Sequence, residues 1–592
     1  MKRKAINLLI LAACGLVAGC GGSSGGADGG GGTGGGNPGA GSVTISGTAS
    51  YEFPPPVPPC RGLDFANTGL RPIRAATIQI VDAASQAVLA ETSTSDEGEY
   101  SLTVAADTDV FIRVRAELKR AGTPSWDVEV RDNVTEDGSV PLAARPLYVL
   151  DTAPVASGSG GAARDVVAAT GWSGAGYTAP RAAAPFAVLD AVYSGMLIVL
   201  EANPDVRFEP LDVFWSPDNT PTAGEQIDPD TGEIGTSFYS TEKRMFLLGK
   251  AGLDTEEFDP HVIVHEWGHY FEDTLSRSDS IGGPHALGDE LDMRVAFGEG
   301  WATAFAGMAL ASRDYCDTSG FASQGLFIDL ENSPVFTSPG WYNELSVTRI
   351  LYDLWDTEDD GADTGSLGFG PVFDVMTGPQ AATAAFTSIY TFASALKEAR
   401  PDDAALIDAL LAAENITGSG PFGDGETNDA GAPEDVLPVY TRIFPDGSAA
   451  AICSNSLFDR VSGDLRADGN KLAEHRFLRM TVDTEARHTF DVRTTTTMAE
   501  DDPDDLRDQS DPDILIMRNG VPQNAFVDLD GDGDLELEGF SGAANAEIFT
   551  TAGPLVPGEY VLALVEFRYR DGESPADFPP RTCFEVSVAP AL

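Results

Sequence analysis

The amino-acid sequence predicts a multidomain protein in which one α+β domain is flanked by two antiparallel β-sandwich domains. Three observations predict it. Short alternating apolar runs separated by turn residues fill both ends of the chain, from Ser42 to about Leu147 and from Cys453 onward. Between them, residues 164–445 carry apolar stretches of helical period mixed with a few strands. A chain of 592 residues with 42% hydrophobic content has enough material for several such cores.

The first sandwich is predicted over residues 42–150, from runs such as "ATIQIVD", "GEYSLTV" and "DVFIRVRA". The small-residue stretch "TAPVASGSGGAA" then marks a linker. In the middle domain, "APFAVLDAVYSGMLIVLEA" predicts a long helix, "LDVFWS" a strand and "SFYSTEKRMFLLG" a hairpin. Further helices are predicted at 260–275, 294–312, 343–355 and 380–398. Strand patterns return over residues 453–592 with "FLRMTVD", "HTFDVRT", "DILIMRNG", "AEIFTT" and "GEYVLALVEF".

Charge narrows the range of partners. Ninety-two acidic residues against 37 basic ones give a formal net charge of −55. Such a surface repels phosphate backbones, so nucleic acid is excluded as a partner class. At the N-terminus, Lys2, Arg3 and Lys4 precede an apolar run from Ile6 to Val17 that is too short to span a bilayer. Residues 1–19 therefore predict a signal peptide. The run ends in "LVAGC", which resembles the bacterial lipobox and implies acylation of Cys20. A Gly-rich stretch completes a predicted flexible tether over residues 20–41. The resemblance implies a lipid-anchored protein of the cell envelope, facing the periplasm or exterior, with the membrane as a partner through its lipid. Gly21 in place of Asp suits outer-membrane sorting.

Beyond Cys14 and Cys20, four cysteines remain: Cys60, Cys316, Cys453 and Cys583. None is spaced as a zinc knuckle, and an oxidising compartment allows three disulfide pairings among them. Cys453 with Cys583 is preferred because the two bracket the C-terminal segment.

The chemistry concentrates at residues 261–273, "HVIVHEWGHYFED". Three of the chain's 6 histidines, His261, His265 and His269, fall here four residues apart. Asp259 and Pro260 supply a helix start, and Trp267, Tyr270 and Phe271 an apolar stripe. On a helix, residues four apart lie one above the other, so His265 and His269 present two nitrogens to one point. That is the arrangement two ligands of a tetrahedral zinc need. Glu266, rotated about 100° around the helix, can serve a water there as general base. His261 is read as a first-turn residue, because three ligands along one axis cannot close around an ion. The third ligand is predicted to be Glu299, the single acid inside the apolar helix "AFGEGWATAFAGMAL", since a buried carboxylate calls for a cation.

Together "VIVHEWGHYFED" and "GEGWATAF" resemble the gluzincin metallopeptidases, near the thermolysin and fungalysin groups. The resemblance implies Zn2+ as cofactor, His265, His269 and Glu299 as its ligands, and Glu266 as the catalytic base of an endopeptidase. It also implies that the hairpin before the helix is an edge strand for an extended peptide or protein substrate. One departure favours an alternative, a catalytically inactive binding or adhesion lipoprotein. Those groups carry an Asp four residues after the third ligand, and here Thr303 stands there. Asp273, Asp289 and Asp292 are the candidates for its hydrogen-bonding role. Tyr352 and His285 are candidates for stabilising an oxyanion.

The flanking segments carry resemblances of their own. "TSTSDEGEYSLTVAADTDVFIRVRA" resembles transthyretin-like or carboxypeptidase-regulatory-like domains, and "DPDILIM" followed by "AEIFTTAGPLVPGEYVLALVEF" resembles the bacterial pre-peptidase C-terminal domain. Within the latter, Asp528, Asp530 and Asp532 of "DLDGDGDLELE" are candidate Ca2+ ligands, although Gly539 stands where a calcium loop would end in Glu.

Overall fold

The computed structural model describes residues 41–135, 140–221, 227–332, 339–358, 361–427, 436–457, 469–497, 509–527, 536–541, 544–570 and 578–591. The predicted signal peptide, Cys20 and all but the last residue of the predicted tether lie outside these residues, as do Asp528, Asp530 and Asp532. The structure is strand-rich, with several sheets and seven α-helices among the described residues. The helices are α1 (Ala184–Ala202), α2 (Pro260–Leu275), α3 (Met293–Leu310), α4 (Glu344–Asp353), α5 (Phe369–Val375), α6 (Ile389–Ala399) and α7 (Ala404–Ala413).

Ser42–Leu592 forms one unit. Its largest sheet has nine strands and crosses the linker predicted at 152–163. Phe238–Ser240, Arg244–Leu247, Leu211–Trp215, Trp126–Arg131, Asp109–Arg120, Ala76–Asp82 and Val88–Ser93 follow one another across it. The seam is parallel, with Leu211 to Phe214 registered against Val128 to Arg131. Strands expected in two separate domains thus share a ladder, and the sheet is mixed rather than purely antiparallel. A second, five-stranded sheet centres on Ser42–Phe53, which pairs antiparallel with Glu99–Ala105 and parallel with Val166–Ala168.

Against these sheets packs α1, whose Phe186, Leu189, Val192, Met196 and Val199 recur at helical spacing and are almost fully buried. Burying each such side chain stabilises the fold by about 1.5–3 kcal/mol relative to leaving it exposed. This helix is long and apolar enough to cross a membrane, yet most of it is covered by the protein, where it packs on α2 and α3.

Toward the C-terminus two sheets face each other. His475–Val482, Gly558–Glu566 and Pro512–Arg518 lie adjacent in one, and Ala449–Asn455, Arg581–Pro590, His488–Thr494 and Ala546–Thr550 make the other. Leu478, Ile514 and Leu562 meet Phe490, Val492 and Phe584 in a shared core, the alternation expected of a sandwich. Cys453 and Cys583 face each other across paired strands and form a disulfide. Cys60 and Cys316 form the second, which joins points 256 residues apart in sequence.

Candidate zinc site

Pro260 opens α2, while the carboxylate of Asp259 turns away from the helix end and accepts hydrogen bonds from the Thr318 amide and hydroxyl at 2.9 and 2.8 Å. Val262, Ile263, Val264, Trp267, Tyr270 and Phe271 are all buried, so the helix is enclosed on most of its circumference. Close crossing by α3 depends on Gly268. A Cβ there would lie 2.9 Å from Ala302 Cα, and Trp301 Nε1 donates to the Gly268 carbonyl at 3.1 Å. On the other side of α3, a Cβ at Gly300 would lie 2.5 Å from Val347 Cβ, so α4 also approaches closely.

This crossing places Glu299 opposite the two imidazoles. His265 Nε2 and His269 Nε2 are 3.2 Å apart, and they lie 3.3 and 3.4 Å from Glu299 Oε2. A regular tetrahedron with bonds of about 2.0–2.1 Å has edges of roughly 3.3–3.4 Å. The three atoms therefore stand where three corners of a zinc site belong. Glu299 Oε2 is buried, and although three imidazole nitrogens stand 3.3–3.4 Å away, none meets it in good hydrogen-bond geometry. The donor set and its spacing fit the ion.

The electrostatics agree with that fit. Burial opposes charge on His269, but Glu299, with Glu266 and Glu272 nearby, raises its pKa to about 9. Burial likewise opposes ionisation of Glu299, yet His269 and His285 hold its carboxyl well below the usual range. The negative charge that would offset a divalent cation is thus already in place. Glu266, adjacent to His265, is itself buried.

Thr303, one turn beyond Glu299, lies with Oγ1 3.1 Å from His265 Nδ1. The hydroxyl is in position to accept from Nδ1–H, which leaves Nε2 free to ligate. Thr303 thus contacts one of the two α2 imidazoles at the position where the resembled peptidases carry Asp. The three aspartates considered for that role are engaged elsewhere. Asp273 accepts from the Tyr239 hydroxyl at 2.7 Å, Asp289 from the Ala286 amide at 3.0 Å, and Asp292 pairs with Arg294 at 2.8 Å.

Of the two oxyanion candidates, the structure brings only His285 to the cluster. Its Nε2 is 3.3 Å from Glu299 Oε2 and 3.7 Å from Glu344 Oε2, and its Nδ1 lies 3.2 Å from the Gly283 carbonyl. It groups with Glu299 and Glu344 rather than with the two α2 imidazoles, and 29% of its side chain is exposed, so it sits at the rim. Tyr352, by contrast, is buried against Gly307 and Trp355. Gly307 is eight residues past Glu299, roughly 12 Å along the helix. Tyr352 is a packing residue, because the helical face it shares with Thr348 points into α3. His261 stays out of the cluster, its ring 5.3 Å from that of Tyr315 and its pKa lowered to about 4 by burial.

Glu344 is the participant that the sequence reading did not single out. It occupies the first turn of α4 after the Asn343 cap, is buried, and has its pKa raised to about 7 by burial, against the pull of His285. In the sequence Glu344 shows only as a residue on the same helical face as Thr348 and Tyr352, in a segment that also carries Arg349 and Asp353.

Comparison with known proteins bears on this segment. Residues 210–404 match a family described as the mycolysin C-terminal domain, and that span contains His265, Glu266, His269, His285, Glu299 and Glu344. The match links the segment to a peptidase-related domain and covers less than half of the chain. No curated protein matches. Among solved structures, the pre-peptidase C-terminal domain of a collagenase from Bacillus anthracis is 10% identical, with 27% of this chain and 98% of that one covered and a TM-score of 0.15. CorA, a surface-associated copper-binding protein of Methylomicrobium album BG8, is 12% identical, with 26% and 99% covered and a TM-score of 0.16. Likenesses this faint carry no argument about function.

Proposed function

We propose that this protein is a lipid-anchored, extracytoplasmic zinc metallopeptidase that hydrolyses peptide bonds in extended protein substrates. The observation that supports this reading best is the triangle of His265 Nε2, His269 Nε2 and Glu299 Oε2, with edges of 3.2–3.4 Å, beside the buried carboxylate of Glu266. Zinc, held by those three residues, would supply Lewis-acid activation of a water and of the scissile carbonyl. Glu266 takes the proton from the attacking water and passes it to the leaving amine. Thr303 holds the His265 ring in one tautomer and orientation. At the rim, His285 offers an N–H toward the oxygen on which negative charge develops.

Substrate would enter along the sheet edge. Phe238–Ser240 is the terminal strand of the nine-stranded sheet, and the hydrogen bond from Tyr239 to Asp273 ties it to α2. An extended peptide pairing with that edge would run beside the helix that carries the histidines. The lipid anchor rests on "LVAGC" and the charged, apolar leader before it.

The test is cleavage of an unstructured protein by wild type and by Glu266→Gln, with zinc content measured in both. Cleavage by wild type alone, at equal zinc, is expected. Equal cleavage by the variant would remove Glu266 from its role, and zinc in both without cleavage would favour a binding protein.

A further inference from the structure

The loop that carries His285 is held in place from a distant part of the chain. From Arg277 to Ala286 the backbone is neither helix nor strand, and within this loop His285 contacts the Gly283 carbonyl through Nδ1 at 3.2 Å. A side chain on such a segment points where its backbone is pinned. The pins come from residues 470–472, just before the strand His475–Val482 of the C-terminal sandwich. Asn470 Nδ2 donates to the carbonyls of Gly282 and Pro284 at 3.0 and 3.1 Å, and Lys471 Nζ donates to the Pro284 carbonyl at 2.7 Å. The backbones join as well. The Asp292 amide donates to the Asn470 carbonyl and the Leu472 amide to the Glu290 carbonyl, both at 2.8 Å, and Leu291 is bridged to Lys471.

Both side chains are committed to this contact. Asn470 is fully buried and Lys471 is 2% exposed. A buried ammonium is costly unless its protons find acceptors. Those of Lys471 reach the Pro284 carbonyl and Asn470 Oδ1, each at 2.7 Å, with Asp289 Oδ2 at 3.5 Å. The same Asp289 oxygen accepts from the Ala286 amide at 3.0 Å. The backbone is thus gripped on both sides of His285, at Pro284 before it and at Ala286 after it. Gly283 permits the approach: its φ is +102°, and a Cβ there would lie 2.8 Å from Asn470 Nδ2. Apolar side chains could fill this space without loss of stability. What the polar pair adds is a fixed position for the loop.

We propose that Asn470 and Lys471 are positioning residues for His285, through which the C-terminal sandwich completes the rim of the zinc site. The inference rests on the peptidase reading, in which His285 faces the developing negative charge. His285 Nε2 stands 3.3 Å from Glu299 Oε2, so the loop sets its reach toward the reacting oxygen. A displacement of about 1 Å at such a group costs about a hundredfold in rate.

The test uses the purified, zinc-loaded chain and fluorescein-labelled casein. Asn470→Ala and Lys471→Met are each made alone and together with His285→Ala, with zinc content and melting temperature recorded for all. His285→Ala is expected to lower kcat by about a hundredfold. Each positioning variant should lower kcat by about tenfold with KM within about twofold of wild type, and by less than about twofold once His285 is already alanine. A second readout is independent of turnover. With 13C-labelled histidine the chain has 6 ring signals, and that of His285 is identified by its absence from His285→Ala. It should move or split in both positioning variants while those of His261 and His488 stay in place. Equal loss of kcat in the two backgrounds would overturn the proposal, as would a His285 signal unchanged in both variants. If the wild type cleaves no casein, the peptidase reading fails, and the His285 signal still decides whether Asn470 and Lys471 position this ring.

Discussion

Thr303 and Glu266 separate two properties that the proposed site would combine, retention of the ion and movement of a proton. Thr303 touches the far nitrogen of His265, so its loss should act on the metal and not on the chemistry. Thr303→Val keeps the shape and removes the acceptor. It is expected to weaken zinc affinity by about 10–100-fold, read by competition with a chelator, while turnover at saturating zinc stays near wild type. Equal zinc affinity in the two proteins would mean that His265 is held by something other than this hydroxyl. Residues of the HExxH segment were legible because helical spacing is local: four residues apart means one face. Glu299 was legible as a lone acid in an apolar helix. His285 and Glu344 were not assigned to the site together, because they reach it through a loop and a helix start whose directions no periodicity encodes.

At the scale of elements, the site is a product of how closely α2 and α3 cross. Gly268 lies at the crossing, where a methyl group would meet the backbone of Ala302 at 2.9 Å. Alanine would favour the helix itself by about 1 kcal/mol. A clash with a backbone atom cannot be relieved by a rotamer change, and overpacking of this kind costs about 1–3 kcal/mol. Gly268→Ala is therefore expected to be destabilised by up to about 2 kcal/mol in net terms and to lose zinc more readily, as Glu299 is levered away from the imidazoles. Denaturant unfolding and zinc retention check it together. A stable variant with unchanged zinc would show that the helices have room to spare. The helices predicted at 260–275, 294–312 and 343–355 are present within a few residues at each end, whereas 380–398 begins later, at Ile389, after a π-helical turn that contains Pro379. The short α5 and α7 were missed, being brief apolar runs of two turns or so without a distinct periodic face.

Across the whole molecule, the linker predicted at 152–163 does not separate two bodies. The parallel seam between Leu211–Trp215 and Trp126–Arg131 carries the first β-region directly into the sheet that ends at the proposed substrate edge. Alternating apolar residues announce a strand but not its partner, and this partner lies some eighty positions away in sequence, so the join could not be read from the pattern. The Cys60–Cys316 disulfide fastens the same two regions at a second point. A consequence is that the N-terminal β-region is part of the framework that positions α2.

The central claim is that His265, His269 and Glu299 hold one zinc ion, and X-ray absorption at the zinc K-edge of the purified chain tests it most directly. The account predicts one tightly bound zinc per chain with two imidazole nitrogens at about 2.0–2.1 Å, an oxygen shell at about 2.0–2.2 Å and no sulfur. Loss of that signal is expected in Glu299→Ala. Absence of zinc from the wild type, or a first coordination shell containing sulfur or three or more imidazoles, would contradict it.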